Sequence, residues 1–303
     1  DFCLSRGLGD VYKRQLVTGS NGQLGYDVLK ELHRRKIPCR GIDREECDIT
    51  NMPQVMHWVE TYQPDAVIHC AAYTNVNRAE TEQTLCMDIN YRGSANIAAA
   101  ANKTGAKLIY ISTDYVFGAS GEQPLGIYEA KNPLNTYGET KLSGENSTRI
   151  LCPRSFIVRT SWVFGINGSN FVKTMLRLGR EKEEISVVSD QIGSPTYTAD
   201  LAPLLCDMAM TERFGTYHAT NEGYCSWYEF AREIMRLGHL PAKIHPVATA
   251  DYPSPAARPL NSRLSKESLD EAGFPRLPHW KDALQRYLSE LAIAEEEGVL
   301  KAF

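Results

Sequence analysis

A short apolar run, Leu16-Val-Thr, ends in Gly19-Ser-Asn-Gly-Gln-Leu-Gly25, and a stretch of helical periodicity follows at once. Strand, glycine turn and helix in that order open a βαβ unit, which commits a chain to a parallel sheet with crossover helices. Gly19, Gly22 and Gly25 let the backbone turn tightly and let a pyrophosphate approach the main chain. The helix behind them offers unpaired N–H groups and the positive end of its dipole to an anion. Leu24, Val28, Leu29 and Leu32 place one apolar face on that helix, over residues 25–35.

The same alternation continues. Pro38-Cys-Arg-Gly-Ile-Asp43 reads as a second strand, and residues 52–62 read as a helix with Pro53 in its tolerant first turn. Ala66-Val-Ile-His-Cys-Ala-Ala72 has the continuous apolar character of a strand buried on both faces. One long alanine-rich helix is expected over 84–104, stopped by Gly105. Residues 107–112 and 154–163 read as further strands. The fold class is therefore α/β, a Rossmann-type doubly wound parallel sheet. Beyond Gly165, prolines at 241, 246, 253, 255, 259, 275 and 278 interrupt the pattern, which suits a smaller, loop-rich C-terminal substrate-binding lobe. The expected organisation is an NAD(P)-binding domain over 16–165, with 195–220 returning to it, and a substrate lobe from 166–194 and 221–303. Residues 1–15 are set aside, because Asp10-Val-Tyr-Lys-Arg-Gln15 resembles the translation of a transposase adapter used in sequencing libraries. A non-native tail is expected there, with Arg14 and Gln15 standing in for lost strand residues.

Several function classes find no support. A net charge of −4 gives no basic excess, so nucleic acid is not an expected partner. The eight cysteines are scattered without a Cys-x-x-Cys pair, and the seven histidines form no His-x-x-x-His or triad-like group, so no metal site is expected. Reduced thiols suit a cytoplasmic protein. No apolar run approaches the roughly 18 residues of a membrane span, so no membrane association is expected.

The chemistry-bearing residues come in order along the chain. Asp43 stands 18 residues after Gly25, where an acid accepts hydrogen bonds from an adenosine ribose. Arg44 follows and could hold the 2′-phosphate of NADP. The two signals oppose each other and leave NADPH against NADH open; a solvated turn is the bland alternative. Tyr137 and Lys141, four apart on a predicted helix, share a face. Free tyrosine holds its proton too tightly for transfer near neutrality, with a pKa of about 10, and a nearby ammonium is expected to lower that value. Thr113, in Ile111-Ser-Thr-Asp-Tyr115, supplies a hydroxyl that can orient a carbonyl oxygen. Thr113, Tyr137 and Lys141 are thus the candidate catalytic set for nicotinamide-dependent carbonyl reduction, with Lys141 also able to bond the nicotinamide ribose. Spacing alone is weak, since Tyr26 and Lys30 repeat it and carry no assigned chemistry. Asp114 reads equally as a sugar ligand or a turn cap, and Trp162 equally as a face for a sugar or a core ring.

Longer segments narrow the reading. They include Ala71-Ala-Tyr-Thr-Asn-Val-Asn-Arg-Ala-Glu80, Ser112-Thr-Asp-Tyr-Val-Phe117 and Asn132-Pro-Leu-Asn-Thr-Tyr-Gly-Glu-Thr-Lys-Leu-Ser-Gly-Glu145. Asn170-Phe-Val-Lys-Thr-Met-Leu-Arg-Leu178, Asp190-Gln-Ile-Gly-Ser-Pro-Thr196, Ser226-Trp-Tyr-Glu-Phe230 and Ala257-Arg-Pro259 follow. With these the chain resembles the dTDP-4-dehydrorhamnose reductases, extended short-chain dehydrogenase/reductases, from Leu16 to about Leu288. The resemblance implies reduction of the C4 keto group of a dTDP-sugar, dTDP-4-dehydro-β-L-rhamnose, for cell-envelope polysaccharide. It implies Tyr137 as proton donor, Lys141 as its partner and Thr113 as a tuning hydroxyl. It places Gly22, Gln23 and Leu24 on the pyrophosphate, Asp43, Asp48 and Ile49 around the adenosine, and Ala71, Ala72 and Tyr73 along the dinucleotide. Thr113, Asp114 and Trp162 would meet the deoxysugar nucleotide, and Arg258 its phosphates. The family commonly takes NADPH and often NADH, and a homodimer is compatible with it. One departure is Phe117-Gly-Ala-Ser, where the family usually has Asp-Gly after the aromatic residue. Two rival classes share the ancestry: a nucleotide-sugar epimerase, and a non-catalytic subunit like the regulatory subunit of methionine adenosyltransferase.

Overall fold

The computed structural model describes residues 13–118 and 120–296. The chain opens with β1 (Gln15–Thr18), α1 (Gln23–Arg34), β2 (Cys39–Ile42), α2 (Met52–Tyr62) and β3 (Ala66–His69). Two short helices, α3 (Val76–Ala79) and α4 (Gln83–Met87), lead through a π-helical turn, Asp88–Gly93, into α5 (Ser94–Thr104). Then come β4 (Lys107–Thr113), α6 (Thr136–Leu151), β5 (Ser155–Thr160) and β6 (Val163–Phe164). The rest comprises α7 (Phe171–Glu181), β7 (Glu184–Val188), β8 (Ile192–Gly193), β9 (Thr196–Tyr197), α8 (Thr198–Ala209) and β10 (Gly215–His218). It closes with β11 (Cys225–Ser226), α9 (Trp227–Leu237), β12 (Lys243–Val247), α10 (Glu267–Glu271) and α11 (Trp280–Glu296).

Six strands form one sheet in the order β2-β1-β3-β4-β5-β10, parallel at every step. Successive side chains of a strand point to opposite faces, and the core divides accordingly. Leu16, Val67 and Leu108 join Val55 and Ile97 under α2 and α5. Their neighbours Val17, Ile68 and Ile109 join Val28, Leu32 and Leu205 under α1 and α8. Helices therefore cover both faces, which is why strands β1, β3 and β5 are buried throughout. A second core holds α7, α9 and α11 together around Phe164, Tyr197, Phe230, Trp280 and Tyr287.

The sheet order reverses between β1 and β3, the crevice where open α/β sheets take ligands. Gly19 lies in it at φ 65°, and a Cβ there would come within 2.6 Å of the Ala71 nitrogen, so no other residue fits.

Two sequence readings change in detail. The helix expected over 84–104 is interrupted by the π-turn, which carries Asn90 inward. Its amide pins both backbone groups of Tyr73 and reaches Thr140 of α6. The strand expected over 154–163 ends at Thr160, because Trp162 takes a left-handed φ of 49°. At the N-terminal side, residues 1–12 lie outside the described residues. Arg14 is fastened to Asp65 by a backbone N–H donated to the carboxylate at 2.7 Å, and Gln15 is a buried residue of β1.

Candidate active site

The glycine loop is shaped by contact rather than by capping. A Cβ on Gly25 would lie 2.1 Å from the Gly19 carbonyl oxygen, so loop and helix meet backbone to backbone. Gly22 precedes α1 in extended conformation, and no side chain caps the helix. The N–H groups of Gln23, Leu24 and Gly25 are thus left for an anion, as the first turn of a helix cannot satisfy them itself. Asp43 does not stand free: one carboxylate oxygen accepts the Asn21 N–H at 2.9 Å and the other the Arg44 N–H at 2.7 Å. It braces the loop from the end of β2. The Arg44 side chain is exposed and makes no hydrogen bond among the described residues. Asp48 caps its own turn, accepting the Thr50 N–H and hydroxyl at 2.9 and 2.7 Å, which holds its carboxyl below the usual range. Ile49 is packed in the core beneath, and its carbonyl accepts from Asn96. Ala71, Ala72 and Tyr73 leave β3 half-buried beside the loop.

Thr113 ends β4, and α6 starts against the turn that follows. The Asn135 side chain caps α6 by accepting the Gly138 N–H at 2.8 Å and donates to the Ala257 carbonyl at 2.7 Å. A Cβ on Gly138 would be 2.3 Å from the Tyr115 carbonyl oxygen, so glycine is what lets the helix sit this close. The Tyr137 ring consequently meets Tyr115 edge-on at 5.6 Å. Burial lifts the Tyr137 phenol above its ordinary range; the Thr113 hydroxyl opposes the rise and the Asp114 carboxylate adds to it. The lowering expected from Lys141 is not found, because desolvation dominates. Lys141 is itself buried, with its ammonium 4.3 Å from the centre of the Tyr110 ring. Burial pushes it down to about 8, against the pull of Glu145. The site thus pairs a firmly protonated phenol with a lysine that loses its charge just above neutrality.

Asp114 is 2% exposed. Its Oδ1 accepts the Thr113 hydroxyl at 3.0 Å, while Oδ2 is buried without a partner among the described residues. Burial raises its carboxyl to about 6, with the Ser262 and Thr113 hydroxyls opposing. The turn is capped by Thr113, whose oxygen accepts the Tyr115 N–H, so Asp114 is not needed as a cap. The Ser262 hydroxyl is near enough to lower the carboxyl, but no donor meets Oδ2 in good hydrogen-bond geometry. Trp162 stacks on Trp227 at 3.7 Å and remains half-buried. A Cβ on Gly193 would touch both the Trp162 ring and Ser262, which links Trp162 to the surroundings of Asp114. Left-handed backbone at a large residue is strain of the kind that gathers at ligand sites. Arg258 is engaged by Asn77 at 2.9 Å, by the Ala256 carbonyl at 3.3 Å and by the Ser254 hydroxyl, and it lies beside Tyr115.

Some contacts of the site carry no sequence signal. The Gln23 side chain turns away from the loop and accepts from the Gly165 N–H at 2.9 Å and the Asn170 amide at 3.1 Å. Asn167 donates to the Asn21 carbonyl at 2.7 Å. The segment from Gly165 to Asn170 therefore grips the glycine loop directly. Asn90, Asn167 and Ser262 are not among the residues the sequence singles out; a buried asparagine inside an alanine-rich helix is the one available hint. Among the described residues, no cluster of His, Cys, Asp and Glu is arranged to hold a metal, and no helix is long and apolar enough to cross a membrane.

The sequence profile of the RmlD substrate binding domain matches residues 13–293. The chain belongs to this family. The spore coat polysaccharide biosynthesis protein SpsK of Bacillus subtilis is 42% identical, over 92% of this chain and 98% of that protein. The dTDP-4-dehydrorhamnose reductase of Escherichia coli is 38% identical, over 91% and 97%. The crystal structure of dTDP-4-dehydrorhamnose reductase from Bacillus anthracis, in complex with NADP, superposes with a TM-score of 0.89 at 44% identity, covering 92% of this chain and 99% of that one. The Rossmann-type sheet and the short-chain dehydrogenase/reductase architecture read from the sequence are those of this family.

Proposed function

We propose that this chain reduces the C4 keto group of dTDP-4-dehydro-β-L-rhamnose to dTDP-L-rhamnose, with NADPH as reductant and NADH accepted, in the cytoplasm. The observation that carries the reading is Thr113, Asp114 and Tyr137 gathered at the end of β4, with Lys141 one turn along α6, beside an uncapped glycine loop. The seven described cysteines are all free, in keeping with a reducing compartment.

The residues fit the cofactor. The N–H groups of Gln23, Leu24 and Gly25 would hold its pyrophosphate, with Gly19 and Gly22 keeping the loop close. Asp43 and Arg44 would face the adenosine ribose, Asp48 and Ile49 would flank the adenine side, and Ala71, Ala72 and Tyr73 would line the dinucleotide. When bound, the nicotinamide supplies the hydride. Thr113 orients the carbonyl oxygen. Tyr137 gives that oxygen its phenolic proton as negative charge develops. Lys141 steadies the resulting phenolate and bonds the nicotinamide ribose. Asp114 Oδ2 accepts from a sugar hydroxyl, the Trp162 ring packs on the sugar, and Arg258 reaches the phosphates.

The deciding assay follows NADPH consumption with dTDP-4-dehydro-L-rhamnose against a panel of other 4-keto sugar nucleotides. Oxidation fastest with the first supports the reading. Product without net NADPH loss indicates an epimerase, and binding without turnover a regulatory subunit.

Two predictions arise here. Arg44→Ala should shift cofactor preference from NADPH towards NADH by about tenfold, roughly 1.4 kcal/mol of a charge-assisted pair. An unchanged ratio of dissociation constants would remove Arg44 from the 2′-phosphate. Turnover should also fall as pH rises through about 8, because Lys141 is charged below that value and neutral above it. A pH profile flat to 9.5 would dismiss the ammonium from the reaction.

A further inference from the structure

Glu145 lies one helical turn beyond Lys141 and is fully buried, as is Arg159 of β5. Their pairing is bidentate, with Nε donating to Oε1 and Nη2 to Oε2, each at 2.8 Å. The Ser112 hydroxyl also donates to Oε1, at 2.6 Å, and Ser112 immediately precedes Thr113. Arg159 Nη1 donates to the Ile127 carbonyl at 3.0 Å and meets His218 Nε2 at 3.2 Å. Burial holds His218 neutral, with its pKa down to about 3. Its Nε2 therefore accepts from Arg159, and its Nδ1–H donates to the Ser265 carbonyl at 3.1 Å. One ion pair thus ties the catalytic helix to β4, β5, β10 and two loops.

Stability alone does not account for such a pair. Desolvating two charges consumes most of what their attraction returns, and well-packed apolar residues often serve as well. The surroundings of Lys141 supply another reason. Tyr110 faces it from β4, His69 and Cys70 from the end of β3, Cys86 from α4, and Tyr137 and Glu145 from α6. Burial keeps His69 neutral, at about 3, and raises the Cys70 and Cys86 thiols and the Tyr110 phenol. Tyr137 holds its proton. Among these, Glu145 is the group that brings negative charge at neutral pH.

We propose that Glu145 is a positioning residue for the reaction: its carboxylate, locked by Arg159 and Ser112, keeps the Lys141 ammonium charged and sets the catalytic helix against the Thr113 strand. The proposal rests on the reductase reading above. It requires nothing of Glu145 at the substrate itself.

The test is kcat against pH at saturating NADPH and keto sugar. The full chain is compared with Glu145→Gln, Glu145→Asp and the double variant Glu145→Gln/Arg159→Met, which leaves no unpaired buried charge. The alkaline midpoint should move down by about one pH unit in Glu145→Gln and in the double variant, since an opposite charge close by is worth roughly that. At pH 7.5 kcat should fall severalfold while KM for the sugar changes little, and Glu145→Asp should restore part of both. An unmoved midpoint in a cooperatively folded variant overturns the proposal. Loss of the fold in both Gln-bearing variants assigns the pair to folding and overturns it as well. A wild-type chain that oxidises NADPH with no 4-keto sugar defeats the reductase reading instead.

Discussion

Tyr137→Phe is expected to cut turnover by roughly 10²–10⁴, the usual cost of losing a positioned general acid. The substitution keeps the ring that meets Tyr115 edge-on, so the start of α6 should hold its place. Dissociation constants for NADPH should change little, because the glycine loop, Asp43 and Arg44 are untouched. The large effect is specific to this phenol because burial holds its proton on through the neutral range, and the proton is given up only as the carbonyl oxygen gains charge. Lys141→Met should behave differently, harming both turnover and cofactor affinity, since the ammonium is assigned to tyrosine and ribose together. Single-turnover NADPH oxidation and fluorescence titration separate the two quantities. Full turnover in Tyr137→Phe would leave the reductase class standing and move the acid elsewhere.

The parts of this site that were legible in the sequence are those set by local spacing. Gly22 and Gly25 are demanded by contacts with Gly19 in their own loop, and Tyr137 and Lys141 share a face of a single helix. The parts that were not legible depend on residues far apart in the chain. Gln23 meets Gly165 across 142 residues, and nothing around Gln23 marks it as a partner for so distant a segment. The direction of the Tyr137 shift was misjudged for a related reason: spacing reveals the partner, but burial is a property of the whole packed site. Trp162 reads as a strand residue because its neighbours are apolar, and its left-handed backbone appears only where the chain leaves the sheet. Asp114 reads as cap or ligand from the sequence, and the fold gives the N-cap position to Thr113.

Arg159→Met should destabilise the protein by about 3–5 kcal/mol, the cost of stranding a buried charge. Arg159 is fully buried.

 The Glu145 carboxylate, the Ile127 carbonyl and His218 Nε2 each lose the guanidinium as donor. Ser112 alone would then remain on the carboxylate from within the core. Arg149 approaches it only at 3.8 Å from the half-exposed side. Methionine fills much of the same volume, so the loss should come from the unpaired carboxylate and not from a cavity. Adding Glu145→Gln should therefore return most of the stability, because the second substitution removes the charge that the first one stranded. Urea unfolding of the four proteins in the double-mutant cycle measures this coupling directly. A single-variant loss below about 1 kcal/mol, the size of an ordinary point substitution, would mean that water reaches Glu145 and that the pair is not the dry clamp its burial implies. A large loss that the second substitution fails to repair would place the cost in Arg159's hold on the Ile127 loop, independent of Glu145.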